Sequence, residues 1–376
     1  MENITALQLT KELIQIPSVN PPGNEEVCAK FLANLLHDCG FDVQLHHFGE
    51  QRFNLIASIA GKNSELPIGF TGHIDTVPLG IKAWSVDPFE AVEKDGKVYG
   101  RGATDMKAGI AAFIVACTQL KSEINQGCGV QLIITGGEET GCDGAKALIN
   151  HAREVFQPLK ILLVGEPTLN YPFIGHKGAL WLKAESFGKT AHGAMPEQGI
   201  NAIYKASKAI QKIQNFNFET DEHPVMGKPT FNVGTMQAGI NVNSVPDYAK
   251  FEIDIRSVPE MSHDCICTKL ADYLTEDVSL SSIVDVPSLC SDVNDPVIQQ
   301  VFQVMQPYFS QPIQAKAVPY FTDGSVLLPV IGHAPVLIIG PGNPKMAHQT
   351  DEYCDIDKID QSVEIYKKII MELLQS

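Results

Sequence analysis

A strand that starts at Ile68 ends in the stretch Phe70-Thr71-Gly72-His73-Ile74-Asp75-Thr76. Residues i and i+2 of a strand share one face, so His73 and Asp75 are expected to project together. A carboxylate beside a metal-ligating imidazole can fix the tautomer of the imidazole and raise its basicity. The simpler alternative is a solvated strand end, which this stretch alone does not exclude.

Strand and helix patterns alternate around this stretch. Apolar positions recur with helical spacing between 27 and 36, and Gly40 ends that helix. Further strands are expected at 41–45, 54–59, 68–73, 129–135 and 160–164, with helices at about 107–122 and 143–155. This alternation predicts an α/β layered domain whose ligands lie at the carboxyl ends of the strands.

A different pattern follows the glycine-flanked segment Gly175-His176-Lys177-Gly178. The expected elements are a strand at 179–187, a helix at 199–214, strands at 230–237 and 247–256, and a helix at 262–275. This βαββα block contains none of the metal-ligand candidates, and strand and helix alternation returns from about 288. We therefore predict a discontinuous first domain at 1–177 and 288–376 and an inserted second domain at 178–287.

Charge and composition limit the classes of partner. The 376-residue chain has a formal net charge of -16, which argues against nucleic acid or an anionic membrane surface, because phosphate binding requires a surplus of Lys and Arg. No stretch approaches the roughly 18 apolar residues of a membrane span, and no secretory signal pattern opens the sequence. The nine cysteines, without regular spacing, are typical of a reducing cytoplasm. A small-molecule partner is therefore expected.

Two glycine-rich turns supply further acidic residues. Asp105 precedes a helix pattern in Gly100-Arg101-Gly102-Ala103-Thr104-Asp105, where it is either a metal ligand or only an N-cap. Glu138 and Glu139 follow an apolar strand, and two adjacent carboxylates repel each other unless a cation neutralises one or one takes up a proton. Adjacent side chains at a turn diverge, which favours one ligand and one general base; an exposed acidic turn is the alternative.

Two more loci complete the set. Glu166 ends an apolar strand in Gly165-Glu166-Pro167-Thr168, and His348 lies in Ala347-His348-Gln349-Thr350-Asp351-Glu352-Tyr353. Carboxylates and imidazoles suit Zn²⁺ or Mn²⁺ without cysteine. Two histidines and three carboxylates can hold two ions if one carboxylate bridges them, which leaves one carboxylate as a proton acceptor and another to orient a histidine. This set indicates a metal-dependent hydrolase.

These motifs, together with Pro17-Ser18-Val19-Asn20-Pro21-Pro22, resemble those of the acetylornithine deacetylase and succinyl-diaminopimelate desuccinylase family, a group of dinuclear zinc aminoacylases and carboxypeptidases. The resemblance covers essentially the whole chain, up to His348. It implies an α/β fold with two domains, an α/β/α catalytic domain and an inserted βαββα lid that also serves dimerisation. It also implies two divalent metal ions, zinc by expectation, with cobalt or manganese as alternatives.

The resemblance assigns roles to individual residues. Asp105 is expected to bridge the two ions, Glu138 to be the general base, and Asp75 to orient His73. The expected remaining metal ligands are His73 and Glu166 for one ion, and Glu139 and His348 for the other.

The resemblance also extends to the inserted block and a later loop. His192, in Gly188-Lys189-Thr190-Ala191-His192, is expected to serve the active site of a neighbouring subunit, which implies a homodimer. Asn243 and Arg256 are expected to hold the α-carboxylate of the substrate, for which a guanidinium fork is well shaped. Thr322 and Gly324 are expected to line the substrate pocket. An exposed histidine and a surface arginine ion pair are the simpler alternatives.

The expected activity is hydrolysis of the amide bond of an N-acyl amino acid. The stretch around His348 resembles acetylornithine deacetylases more than desuccinylases, and a desuccinylase, a dipeptidase or a carboxypeptidase is the alternative within the family. From another class, a catalytically silent relative that binds a small molecule stays open. A serine hydrolase is disfavoured because no Gly-x-Ser-x-Gly motif is present.

Overall fold

The computed structural model describes residues 4–375, the side chains of residues 276 and 375 excepted. Within this range the chain divides into two compact units. The first contains the residues up to Gly175, Cys290–Lys316 and the residues from Thr322 onward. The second contains His176–Leu289 and Ala317–Phe321.

Sixteen strands and ten α-helices lie in the described part of the chain. The strands are β1 (Asp42–Gly49), β2 (Arg52–Ala60), β3 (Ile68–His73), β4 (Val92–Lys94), β5 (Lys97–Tyr99), β6 (Gly129–Thr135), β7 (Ile161–Val164), β8 (Gly175–His176), β9 (Gly178–Phe187), β10 (Thr230–Ala238), β11 (Tyr248–Ser257), β12 (Ser279–Val286), β13 (Leu289–Cys290), β14 (Ala317–Val318), β15 (Val336–Ile338) and β16 (Tyr353–Asp355). The helices are α1 (Ala6–Ile14), α2 (Glu26–Asp38), α3 (Ala108–Gln119), α4 (Lys121–Gln126), α5 (Asp143–His151), α6 (Ala202–Gln214), α7 (His263–Leu274), α8 (Pro296–Met305), α9 (Asp323–Leu327) and α10 (Ile356–Gln375).

The first unit is built on a six-stranded sheet with the order β1-β2-β6-β3-β7-β15. The strands from β6 to β15 run parallel to one another, and β2 joins β1 to them through antiparallel pairings. β6 and β7 are buried along their whole length, the pattern of parallel strands that are covered on both faces. The carboxyl ends of β6, β3 and β7 therefore lie side by side at one edge of this sheet.

Helix α3 fixes the spacing at this edge. It is buried from Ala108 to Cys117 and packs on α1 and α10, and Phe113 stacks on Phe70 of β3 with ring centroids 4.1 Å apart. Gly109 permits a close approach to the end of β7, since a Cβ at this position would lie 2.0 Å from the carbonyl oxygen of Gly165. This contact places the start of α3 next to Glu166, the residue that follows Gly165.

The second unit is built on a four-stranded antiparallel sheet with the order β10-β11-β9-β12. Alternate residues of β11 are buried, as expected for a sheet that is covered on one face. Helix α6 packs on β9, β10 and β11, and α7 packs on β12. The sequence predicted a βαββα block, and β12 is an additional edge strand beside β9.

Residues 317–321 belong to the second unit, whereas the sequence-based boundaries assign everything after 288 to the first domain. The main-chain N–H of Lys177 donates to the carbonyl oxygen of Val318 at 3.2 Å. The rings of Trp181 and Phe321 also meet edge to face, with centroids 6.4 Å apart. These contacts join the returning segment to β9 and its leading turn.

Candidate metal centre

Parallel strands bring the candidate side chains of the first unit together. His73 ends β3, Glu138 and Glu139 follow β6, and Glu166 follows β7. Because these strands are neighbours in the order β6-β3-β7, their terminal residues meet at the carboxyl edge of the sheet. Asp105 reaches the same edge from the turn that precedes α3.

Asp105 lies between the two histidines. Its Oδ1 is 3.1 Å from Nε2 of His73, and its Oδ2 is 3.4 Å from Nε2 of His348. The N-cap alternative does not apply, because α3 begins at Ala108 and Asp105 has an extended conformation with φ -123° and ψ 93°. Burial alone would raise the pKa of Asp105, but the hydrogen bonds from His348 and His73 outweigh it and hold the pKa below its usual value. One carboxylate thus presents one oxygen to each histidine.

The other ligand candidates lie on either side of Asp105. Nε2 of His73 is 3.5 Å from Oε1 of Glu166, and Nε2 of His348 is 3.0 Å from Oε2 of Glu139. The ligand atoms of His73, Asp105 and Glu139 all lie within 4.8 Å of one another. The structure therefore brings all five predicted ligands into one cluster.

Asp75 contacts His73 mainly through its main chain. Nδ1 of His73 is 2.9 Å from the carbonyl oxygen of Asp75 and 3.5 Å from its carboxylate. A proton on Nδ1 bound to this carbonyl leaves the Nε2 lone pair free for a metal ion. The carboxylate of Asp75 instead accepts the main-chain N–H groups of Glu138 at 3.1 Å and Glu139 at 3.2 Å. Asp75 therefore also holds the turn that carries the two glutamates.

Three glutamates share the centre, of which Glu138 and Glu166 are buried and Glu139 is half-buried. Burial raises the pKa of Glu138 well above its usual value; the positive charge of His73 opposes this, and the charges of Glu166 and Glu139 raise the pKa further. Burial followed by the charge of Asp105 raises the pKa of Glu166 and of Glu139. Ligand atoms of His73, Glu138 and Glu166 also lie within 4.8 Å of one another. Bound cations relieve repulsion of this kind between carboxylates.

Contacts with neighbouring carboxylates raise the pKa of both histidines and so favour their protonated forms. Hydrogen bonds to Asp105 and Glu139 raise the pKa of His348 to about 10. Burial lowers the pKa of His73, but its bonds to Asp105 and Asp75 outweigh this and keep the pKa well above its usual value. A divalent cation bound here would take the place of these protons. Imidazole nitrogens and carboxylate oxygens are the donors that zinc-class ions accept, so the residues fit such ions.

Two polar residues that support the cluster had no role in the sequence-based hypothesis. Nδ2 of Asn20 donates to the Asp75 carboxylate at 2.9 Å and contacts Oγ1 of Thr140 at 3.1 Å. Glu352 is fully buried and binds the loop that carries Asp105. Both lie inside motifs that carried the family resemblance, but their partners are distant in sequence, so only the fold reveals what they touch.

Thr322 and Gly324 lie at the start of α9 in the first unit. The Thr322 hydroxyl caps this short helix by accepting the N–H of Gly324 at 3.1 Å, and both residues are buried. Between them, the buried carboxylate of Asp323 accepts a hydrogen bond from the hydroxyl of Thr135, the last residue of β6. Asp323 therefore joins α9 to the strand that leads to Glu138.

The candidates in the second unit lie at opposite ends of its sheet. β9 and β11 form a continuous antiparallel ladder from Phe187↔Tyr248 to Gly178↔Ser257, with Arg256 near the latter end. Past the other end, the N–H of Gly193 donates to the carbonyl oxygen of Asn243 at 2.8 Å, beside the exposed His192. At about 3.3 Å per residue, the ladder separates Arg256 from this loop by roughly 25 Å.

Arg256 is paired within its own strand. Its Nε is 2.9 Å from Oδ1 of Asp254 and its Nη2 is 3.1 Å from Oδ2, which makes a two-point contact. The indole N–H of Trp181 also donates to Asp254 at 3.0 Å. The guanidinium is therefore oriented by a neighbour, and a substrate carboxylate would have to share or replace that contact.

A carboxylate and imidazole cluster at the carboxyl edge of a parallel sheet is characteristic of metallohydrolases. The chain belongs to peptidase family M20/M25/M40, whose profile matches residues 69–372.

Individual relatives agree with this assignment. A probable succinyl-diaminopimelate desuccinylase of Staphylococcus aureus strain MSSA476 is 30% identical, over 98% of this chain and 97% of its own. An acetylornithine deacetylase of Vibrio parahaemolyticus is 28% identical, over 99% of both chains. The crystal structure of an M20 metallo-carboxypeptidase of Sulfolobus solfataricus has the same fold, with a TM-score of 0.82, 17% identity and full coverage of both chains.

These findings confirm the predicted family, the mixed α/β fold and the assignment as an amide hydrolase of that family. The roles of the individual site residues stay predictions. Among the described residues, no helix is long and apolar enough to cross a lipid bilayer.

Proposed function

We propose that this amide hydrolase removes the acyl group of an N-acyl amino acid with two divalent ions, and that its preferred substrate resembles N-acetylornithine. The observation that carries the metal assignment is the position of Asp105, which presents one carboxylate oxygen to His73 and the other to His348. His73 and Glu166 would hold one ion, Glu139 and His348 the other, and Asp105 both. Zinc is the proposed ion because the donors are nitrogen and oxygen atoms.

The reaction needs a proton to move from water to the leaving amine. Two divalent ions, when bound, polarise the acyl carbonyl and lower the pKa of a water molecule. Glu138 would accept the proton of that water and then donate it to the amine nitrogen. A carboxyl group whose pKa is raised by burial is suited to both transfers. Asp75 would keep the Glu138 side chain aimed at the ions by binding the N–H groups of its turn.

Recognition of the α-carboxylate is proposed for Arg256. Its guanidinium already makes a two-point contact with one carboxylate, that of Asp254. A substrate carboxylate offers the same planar geometry. Such a contact would favour N-acyl amino acids with a free α-carboxylate over their esters and amides.

A homodimer is proposed because the candidates of the second unit are divided between the two ends of its sheet. His192 and Asn243 lie roughly 25 Å from Arg256 along the β9–β11 ladder, too far to share one small substrate within a subunit. If His192 serves a neighbouring subunit, this separation is accommodated. A cytoplasmic location is supported by the nine cysteines, which form no disulfide bond within the described residues.

A substrate panel tests the proposed activity. N-acetyl-L-ornithine, N-succinyl-diaminopimelate and a set of dipeptides would be compared with the zinc-loaded and manganese-loaded protein, with the Glu138→Gln variant as the blank. The expected result is the highest kcat/KM for N-acetyl-L-ornithine. A higher kcat/KM for the succinylated substrate or for a dipeptide would replace the proposed substrate by that alternative.

A further inference from the structure

Glu352 is a fully buried carboxylate whose two oxygens are both occupied. Oε1 accepts the main-chain N–H groups of Thr104 at 2.8 Å and Asp105 at 3.1 Å. Oε2 accepts the N–H of Gly102 at 3.0 Å and a guanidinium N–H of Arg101 at 2.6 Å. All four donors belong to one short segment, 101–105, which ends at the proposed bridging ligand.

These bonds hold the main chain that carries the Asp105 carboxylate. Asp105 and Met106 depart from helical geometry, so the segment 101–105 is not held by the regular hydrogen bonds of a helix. A carboxylate that accepts several N–H groups can fix such a turn, and each hydrogen bond to a charged acceptor is stronger than a neutral one. Glu352 thus binds the peptide N–H of the residue whose side chain faces both histidines.

Glu352 also belongs to the segment that carries His348. The hydroxyl of Thr104 donates to the carbonyl oxygen of Tyr353 at 2.6 Å, and the N–H of Gly100 donates to the carbonyl oxygen of Glu352 at 2.9 Å. Two hydrogen bonds besides those of the Glu352 carboxylate therefore connect the loop of Asp105 to the segment that follows His348.

We propose that Glu352 is a positioning residue that presets the distance between Asp105 and His348, so that both are in place before a metal ion binds. It contacts no ligand side chain and acts through the main chain. This inference rests on the metal-binding roles proposed above. The competing explanation is that Glu352 only neutralises the buried charge of Arg101, whose side chain is 2% exposed.

The affinity of the metal-free parent and variant proteins for Zn²⁺ distinguishes these two explanations. The Glu352→Gln variant keeps the shape of the side chain but turns one acceptor into a donor, which meets two N–H donors whichever oxygen it replaces. Calorimetric titration with Zn²⁺ should show a loss of affinity of about 10–100-fold, the range for residues that orient metal ligands. The rise in unfolding temperature on adding Zn²⁺ should shrink accordingly.

Gln131→Ala is the matched control. Gln131 is a buried polar residue of β6 whose Nε2 donates to the carbonyl oxygen of Val155 at 2.9 Å, away from the ligands. This variant should lower the unfolding temperature of the metal-free and zinc-loaded protein alike and leave zinc affinity unchanged. The same behaviour in Glu352→Gln would overturn the inference.

The Arg101→Met/Glu352→Gln double variant removes both charges of the buried pair. If Glu352 positions the loop, the double variant should regain unfolding temperature relative to Glu352→Gln but not zinc affinity. Recovery of affinity would show that charge neutralisation is the whole role. Thr104→Val, which removes the bond to Tyr353 and the bond that the Thr104 hydroxyl accepts from the N–H of Asn343 at 3.3 Å, is a milder variant if Glu352→Gln does not fold. It should weaken zinc binding in the same direction, and unchanged affinity in it would count against the inference.

The zinc content of Asp105→Ala and the zinc affinity of Glu352→Gln distinguish an error in the proposed metal centre from an error in the role of Glu352. If Asp105→Ala leaves the zinc content unchanged, Asp105 is not a ligand and the proposed metal centre is wrong. If Asp105→Ala loses zinc and Glu352→Gln binds it as tightly as the parent, the metal centre stands and only the positioning role of Glu352 is wrong.

Discussion

Glu138 and Glu139 are adjacent in sequence but have different neighbours. Glu139 contacts His348 at 3.0 Å, whereas the carboxylate of Glu138 lies within reach of His73 and Glu166. Both are held by the carboxylate of Asp75 through their N–H groups. The two side chains therefore diverge at the turn, and the hypothesis of one ligand beside one base can be tested by mutating each residue separately.

Glu138→Gln should retain zinc and lose activity. The amide cannot accept the proton of the attacking water, so kcat should fall by at least about 10²-fold, the usual contribution of a general base. Metal content measured by atomic absorption should stay at the parent value. Glu139→Gln is the comparison, and it should lose zinc together with activity; loss of zinc in Glu138→Gln would make Glu138 a ligand.

Zinc binding should release protons at neutral pH. The pKa of His348 is raised to about 10 in the metal-free protein, above the ordinary 6.5, so its proton must leave when the ion binds. Calorimetry in two buffers of different ionisation enthalpy should give a proton release at pH 7 that is smaller in His348→Ala. Equal release by both proteins would contradict the role of His348.

The raised pKa of His348 also predicts how the free energy of unfolding of the metal-free protein depends on pH. A group whose pKa is raised on folding contributes stability that is fully present below its unfolded pKa, about 6.5, and is lost as pH rises through about 10. Urea unfolding of the metal-free protein should therefore show stability falling between pH 7 and 10. The fall should be smaller in His348→Ala than in the exposed-site control His151→Ala.

A hydrogen-bonded serine, histidine and aspartate also occur in the second unit. Oγ of Ser257 is 2.7 Å from Nε2 of His263, whose Nδ1 is 2.5 Å from Oδ1 of Asp285. Ser257 is only 1% exposed, so an acyl carbonyl cannot reach its hydroxyl. A fluorophosphonate should therefore not label the protein, and Ser257→Ala should cost about 1 kcal/mol of stability without changing kcat. Stoichiometric labelling that is lost in Ser257→Ala would revive the serine hydrolase alternative.

At the scale of elements, the contact between α3 and β7 sets the spacing between Asp105 and Glu166. A methyl group at Gly109 would meet the main-chain oxygen of Gly165, which cannot move away as a side chain can. Gly109→Ala should therefore cost about 1–3 kcal/mol of stability, the range for overpacking, and should weaken zinc binding. Gly234→Ala is the control, because a methyl group at this position would lie 3.7 Å from its nearest neighbour, Nδ2 of Asn232. An unchanged zinc affinity in Gly109→Ala would show that this contact does not control the centre.

Elements with strong apolar periodicity could be predicted from the sequence, and the residues at their ends with them. β12 was missed because its Ser279, Ser281 and Ser282 obscure the alternation, and it is stabilised as an edge strand by pairing with β9. The contact between the Asp75 carboxylate and the turn after β6, like the bonds of Glu352, joins segments far apart in the chain. Such contacts depend on the order of strands in the sheet, which local patterns do not specify.

At the scale of the whole molecule, the second unit has a sheet edge suited to self-association. β10 pairs with β11 on one side, and the described chain places no strand on its other side. Met236 is 42% exposed on this strand, and Ile240 and Val242 just beyond it are 94% and 103% exposed. Apolar residues beside an open strand favour pairing with another chain, and a two-fold partner would present the same edge.

Mixing two inactive variants tests whether the proposed homodimer shares residues between subunits. In a His192→Ala subunit, Arg256 and the metal ligands are intact, and an Arg256→Ala partner would still supply His192. Subunits exchanged at random should give half heterodimers with one complete site each, and hence about one quarter of the parent activity. Each variant alone should be nearly inactive, and Met236→Lys in both chains should abolish the recovery by blocking association, as checked by light scattering. If the mixture is as inactive as the separate variants while light scattering shows that heterodimers formed, His192 acts within its own subunit or not at all, and the separation of Arg256 from the His192 loop would need another explanation.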